Sequence, residues 1–146
     1  MTMFDHASPS GTEDHARRLE VLARAEPARL KAAAEALLPS LGAVEVLANR
    51  TGLVLLPMRD TVTGTDFHLG EVLVAEAHLR LPCGTEGYGM VIGRDLERAM
   101  AMAVLDAAGE DPAVARLVAE EARAQAAADR ETLRAVEATR VEMETF

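Results

Sequence analysis

The sequence holds one cysteine, one lysine and no tryptophan in 146 residues. Cys83 alone forms no internal disulfide and supplies no cysteine-rich metal framework. Aromatic side chains are confined to Phe4, Phe67, Tyr88 and Phe146. A core drawn from Ala, Val, Leu and Met has few large anchors, so the isolated chain is expected to be modestly stable. No apolar run approaches the roughly 18–20 residues of a membrane span. The opening MTMFDHASPSGTEDH is polar and acidic, unlike a secretory signal, and the expectation is a cytoplasmic protein. With 24 acidic against 15 basic residues the net charge is −9. That balance argues against a general nucleic-acid or anionic-membrane surface, since phosphate backbones select for excess Lys and Arg. Every basic residue except Lys31 is arginine, a planar donor fork suited to phosphate or carboxylate.

What is present reads as one α+β domain. Residues 1–12 read as a disordered leader and 13–146 as a single domain. Apolar residues then recur at three-four spacing (Leu19, Leu22, Ala23; Leu30, Ala33, Ala34, Leu37, Leu38), which predicts helices over about 13–25 and 27–38. Pro27 falls in the first turn of the second, and Pro39 and Gly42 are expected to end it. The middle third changes period. VEVLA (44–48) and GLVLLPMRD (52–60), separated by an NRTG turn, read as two strands, with Pro57 marking an edge or a bulge. TVTGT (61–65) is a turn around Gly64. In FHLGEVLVAEAHLRL (67–81) Leu73, Ala75, Ala77, Leu79 and Leu81 share one face, and Glu76, His78 and Arg80 the other. A Gly-containing connection and YGMVIG (88–93) complete a four-strand antiparallel sheet. Asp95 is a good N-cap for a helix with Leu96, Ala99, Met100, Ala103, Val104 and Ala107 on one stripe. Asp111–Pro112 launches a helical arm, about 112–146. The Ala-rich middle of that arm (120–132) has no large apolar side chain to anchor it to a core.

GTEGYGMVIGRD (84–95) carries four glycines and invites a nucleotide reading. A dinucleotide fingerprint needs GxGxxG at a strand-to-helix turn. Gly87, Gly89 and Gly93 are spaced one residue too long, and Met90-Val91-Ile92 reads as strand. No P-loop GK[ST] occurs. Gly84 and Gly87 are assigned to the turn, and Gly89 and Gly93 to places where a backbone or ligand comes close. Arg94, just before a helix start, together with Arg59 and Arg50, is the phosphate- or substrate-proximal candidate. The competing reading has Asp95 already occupying the helix amides. Arg50, Arg59, Arg80 and Arg94 form either a basic patch or a solvated strand edge. His6, His15, His68 and His78 show no metal-ligand spacing with Cys83, and no nucleophile stands beside a base.

The segments RTGLVLLPMRDTVTGTDFHLGEVLVAEAHLRL (50–81), GTEGYGMVIGRD (84–95) and RAMAMAVLDAA (98–108) together resemble the PhnG subunit family of bacterial carbon–phosphorus lyase. Leu69-Gly70-Glu71, Gly87-Tyr88, Gly93-Arg94-Asp95 and the terminal Thr139-Arg140-Val141 carry the resemblance. It implies a subunit of a core complex with the H, I and J subunits, the I subunit most directly, and the L subunit as a further partner. That complex transfers the ribose triphosphate of ATP to an alkylphosphonate with release of adenine. The resemblance implies catalysis centred on the I subunit, and an iron–sulfur cluster with S-adenosylmethionine in the J subunit. No cofactor is expected in this chain. Gly87, Tyr88, Gly93, Asp95, Glu76, His78, Arg80 and Arg140 are then the structural or partner-facing candidates. The alternatives are a stand-alone phosphate- or nucleotide-binding enzyme using Arg94, and a homo-oligomeric structural protein.

Overall fold

The computed structural model describes residues 9–141. Helices α1 (Pro9–Arg24) and α2 (Pro27–Leu41) precede strands β1 (Glu45–Arg59), β2 (Asp66–Arg80) and β3 (Glu86–Ile92), which are followed by α3 (Leu96–Ala107) and α4 (Pro112–Ala138). The class is α+β as expected, but among the described residues the sheet has three antiparallel strands in the order β1-β2-β3, not four.

The two strands expected at 44–48 and 52–60 are one. Both halves pair with β2, from Glu45 opposite Arg80 to Arg59 opposite Asp66, and NRTG passes through without reversing the chain. Gly52 is not among the glycines with positive φ, so the turn signature there has no backbone turn behind it. At 15 residues β2 is long enough to template both halves. Pro57 sits at a register shift, the bulge its missing N–H predicts. The true reversal is at Gly64 (φ 69°). There Asp60 accepts from Val62 N (2.8 Å) and from the Thr63 hydroxyl (2.7 Å).

Boundaries shift in two other places. Residues 9–12, read as leader, open α1; residues 1–8 and 142–146 lie outside the described residues. Pro39 does not end α2 but lies in its last turn, and the helix stops at Gly42, whose φ is 77°. The N-cap of α2 is Glu26, which accepts from Ala28 N and Arg29 N. Asp95 and Asp111 cap α3 and α4 as their positions predict.

The core lies between one face of the sheet and α3. Ala75, Ala77, Leu79 and Val91 meet Ala99, Ala103 and Val104, with Leu22, Leu30 and Ala34 of α1 and α2 behind the helix. α3 is enclosed beyond its expected stripe: Ala101, Met102, Leu105 and Asp106 are buried as well. The closest approach is at β3. A Cβ on Gly87 would overlap the Ala103 carbonyl oxygen, and one on Gly89 the Ala99 carbonyl oxygen. Gly87 is therefore not a turn residue. Turn duty falls on Gly84 (φ 91°), whose N–H donates to Leu81 O.

α4 packs along α1. Val114 and Leu117 are its buried apolar residues. Further along, polar contacts replace them: Gln125 Nε2 donates to Val21 O (2.9 Å), and Arg24 forms a bidentate pair with Asp129 (2.7 and 3.2 Å). The Ala-rich segment is thus anchored, by side-chain hydrogen bonds instead of apolar burial. Beyond it Leu133 and Val136 are exposed.

Candidate functional site

The sheet face away from α3 gathers five of the residues singled out in the sequence. Alternation along β2 puts Glu76, His78 and Arg80 on this face, and the register places Arg50 opposite Glu76, Tyr88 opposite His78, and Glu86 and Glu45 on either side of Arg80. Glu76 accepts from Arg50 Nε (3.3 Å) and from the Tyr88 hydroxyl (3.1 Å). Glu86 accepts from Arg80 Nη2 (2.8 Å) and contacts His78 Nε2 (3.1 Å), while Arg80 also lies 3.6 Å from Glu45. The His78 and Tyr88 rings meet edge-on at 6.3 Å.

The electrostatics follow from these partners. Burial, then the hydrogen bond to the Glu76 carboxylate, raises the Tyr88 phenol above its ordinary value. It stays protonated and donating, which suits positioning and not nucleophilic attack. Glu86 is held below the usual carboxylate range by the Arg80 hydrogen bond and secondarily by His78, and Arg80 is raised by Glu86 in return. Arg50 is paired with Glu76, and Arg80 with both Glu86 and Glu45, so two guanidiniums meet three carboxylates. The face is a paired array, not a basic patch.

The remaining candidates lie apart from it. Arg59 is on the outer part of the β1–β2 hairpin, 3.9 Å from Asp66. Arg140, just past the end of α4, pairs with Glu137 at 3.1 Å. Gly93 (φ 107°) donates its N–H to Leu73 O and so extends the β2–β3 pairing by one bond. Arg94 is exposed and has no hydrogen bond or ion pair among the described residues. The helix start beside it is already occupied. Asp95 accepts from Arg98 N (3.0 Å) and from Lys31 Nζ (2.9 Å), and its pKa is lowered chiefly by the Lys31 hydrogen bond and then by the Arg98 amide. A carboxylate thus stands where an anion would meet the α3 amides. A shallow hollow of about 330 Å³ lies nearby, floored by Leu38, Leu96, Met100 and Val104. Its only basic lining residue among the described residues, Lys31, is committed to Asp95.

Two buried acids were not picked out from sequence. Asp106, 6% exposed, accepts from Tyr88 N (3.0 Å) and Arg18 Nη2 (3.1 Å) and contacts His15 Nε2 (2.8 Å). It joins α1, α3 and the free edge of β3, and Tyr88 links this node to the sheet-face array. Glu121, 4% exposed, accepts from Arg29 Nη1 (2.7 Å) and Glu26 N (3.4 Å), tying α4 to the α1–α2 joint. The available signal was a lone carboxylate on a buried stripe. Asp106 follows Ala99 and Ala103 at helical spacing, and Glu121 follows Val114 and Leu117. Among the described residues, no three His, Cys, Asp or Glu side chains gather as a metal site.

Known proteins extend this picture. The family described as phosphonate metabolism protein PhnG matches residues 13–146. A curated relative from Rhizobium meliloti (strain 1021), the alpha-D-ribose 1-methylphosphonate 5-triphosphate synthase subunit PhnG, is 35% identical over 108 residues. The match covers 72% of this chain and 69% of the relative. With nearly the whole described fold inside the matched span, the chain belongs to the PhnG family of phosphonate metabolism proteins.

Proposed function

We propose that this chain is a subunit of a ribose 1-alkylphosphonate 5-triphosphate synthase in the carbon–phosphorus lyase pathway. In that reaction a phosphonate oxygen attacks C1 of the ATP ribose and adenine leaves with the bonding electrons. The observation that carries the reading is the family match across 13–146 together with the named synthase subunit from Rhizobium meliloti. The geometry supports a helper role within it. The arginines of the sheet face are paired with carboxylates, the α3 helix start is filled by Asp95, and the Tyr88 phenol is held protonated. On this proposal neighbouring subunits supply most of the groups that bind triphosphate and activate the phosphonate, and exposed Arg94, which has no ion pair among the described residues, is this chain's own candidate for a phosphate contact. The H, I and J subunits are the proposed partners, the I subunit most directly and the L subunit additionally. The iron–sulfur and S-adenosylmethionine chemistry belongs to J. The proposed reaction consumes ATP, which supports a cytoplasmic setting. No helix among the described residues is long and apolar enough to cross a membrane.

Reconstitution tests the proposal. Purified partner subunits are incubated with ATP and methylphosphonate, with and without this chain, and adenine release is followed by chromatography. Omitting the chain is expected to lower phosphonate-dependent release at least tenfold; an unchanged rate overturns the proposal.

A further inference from the structure

The helical layer ends where β3 ends, but β1 and β2 do not. Among the described residues β3 pairs with β2 only between Val74 and Arg80, so residues 52–72 form a two-stranded ribbon whose β1 edge is free and whose β2 edge is free through residue 72. From Gly52 to Arg59 it extends for about 23 Å at ~3.3 Å per residue. An isolated ribbon of this kind would ordinarily be polar on at least one face. In this one both faces carry exposed apolar side chains, interrupted by Glu71 opposite Leu55 on the inner face and by His68, Arg59 and Asp66 toward the tip of the outer face. Leu53 and Leu55 continue the inner face that begins with Ala75 and Ala77, and Leu53 is 63% exposed. Val54 and Leu56 continue the outer face and are exposed as well. Met58, Phe67, Leu69 and, in the terminal turn, Val62 add to the uncovered apolar surface.

We propose that the β1–β2 ribbon is an insertion arm that enters a cleft, walled by apolar side chains, on a non-identical subunit. The proposal rests on the reading of this chain as a synthase subunit and names the part of it that docks. A flat partner, or a second copy packed ribbon to ribbon, covers one face of the arm and leaves the other in water. Only a cleft covers both. A second copy is further disfavoured by charge, since each chain carries −9 and two would repel. Eight large apolar side chains, 39–90% exposed, make a patch beyond what a monomer normally leaves uncovered, and burying them approaches the ~800 Å² that each partner contributes to a standard interface.

The test is co-purification of the tagged full chain with the other synthase subunits. Two variants each charge one face: Leu53→Asp/Leu55→Asp, and Val54→Asp/Leu56→Asp. Each is expected to cut recovery of partner subunits at least tenfold, while the melting temperature of the free chain moves by no more than about 3 °C. In the otherwise wild-type sequence, a benzoylphenylalanine photocrosslinker replacing Val62 is expected to label a non-identical subunit. If wild type captures its partners and either variant captures them equally well, the cleft is overturned while the synthase reading stands. If wild type captures no synthase subunit, both fall. A wild-type dimer split by Leu53→Asp/Leu55→Asp, or crosslinks only between copies of this chain, identifies the occupant as a second copy and overturns the arm proposal.

Discussion

The same two strands meet opposite conditions along their length. Near the body, β2 presents Ala75, Ala77 and Leu79 to a helix that comes close enough for Gly87 and Gly89 to touch its backbone. In the ribbon, β1 and β2 present Leu53, Leu55, Leu56, Met58 and Phe67 to solvent. The contact between the sheet and α3 is thus made largely of alanine and glycine, while much large apolar material of the ribbon is on the outside. Small residues stabilise by close approach and dispersion contacts, large ones by the area they can still remove from water. The first region is complete within this chain, and the second has its burial still to gain.

Four substitutions probe that contrast, in decreasing order of effect. Gly89→Ala places a methyl against the Ala99 carbonyl oxygen and forces α3 off the sheet. It is expected to cost roughly 3 kcal/mol or more in urea denaturation. Next comes Asp106→Ala, which strips Arg18 and Tyr88 N of their buried acceptor and should cost about 3 kcal/mol by the same measurement. A smaller change concerns acid. Because the Glu86 pKa is depressed in the fold, its contribution is present above the ordinary value near 4.5 and is lost as pH falls through the lowered one. Melting curves should therefore fall in acid below about that pH, and Glu86→Gln should flatten part of the decline. Least of all, Leu55→Asp in the ribbon should leave free-chain stability within about 0.5 kcal/mol; a loss comparable to that of Gly89→Ala would erase the distinction between the two regions.

Much of this was legible in the sequence. Strict alternation over 73–81 placed Glu76, His78 and Arg80 on the wet face, and Asp95 and Asp111 announced two helix starts. Met90-Val91-Ile92 was read as strand and lies in β3, though Gly87 was assigned to the turn instead of to the helix contact. What misled was local chemistry overridden by long-range pairing. NRTG has turn composition, but a continuous partner strand held it extended, and Pro39 was absorbed into a last helical turn. The Asp106 node was invisible for a different reason. Its partners His15 and Arg18 lie 91 and 88 residues away, and periodicity reports which face is buried without saying what meets it. The Ala-rich helix shows the same gap: no apolar anchor was visible, and the tethers proved to be Gln125 and Asp129.

The glycine contact also limits the size of the elements that make it. Two strand residues advance about 6.7 Å and four helix residues 6.0 Å, so β3 and α3 mesh as two rulers with slightly different graduations. Gly89 falls on Ala99 and Gly87 on Ala103, but Gly87 already crowds Ala107 too. The drift of about 0.7 Å per step becomes a sizeable fraction of an atomic diameter within two or three steps. Lengthening β3 or α3 with more glycine and alanine would add backbone out of phase. In a strand of 7 residues against a helix of 12, the glycine contact is made at two successive steps.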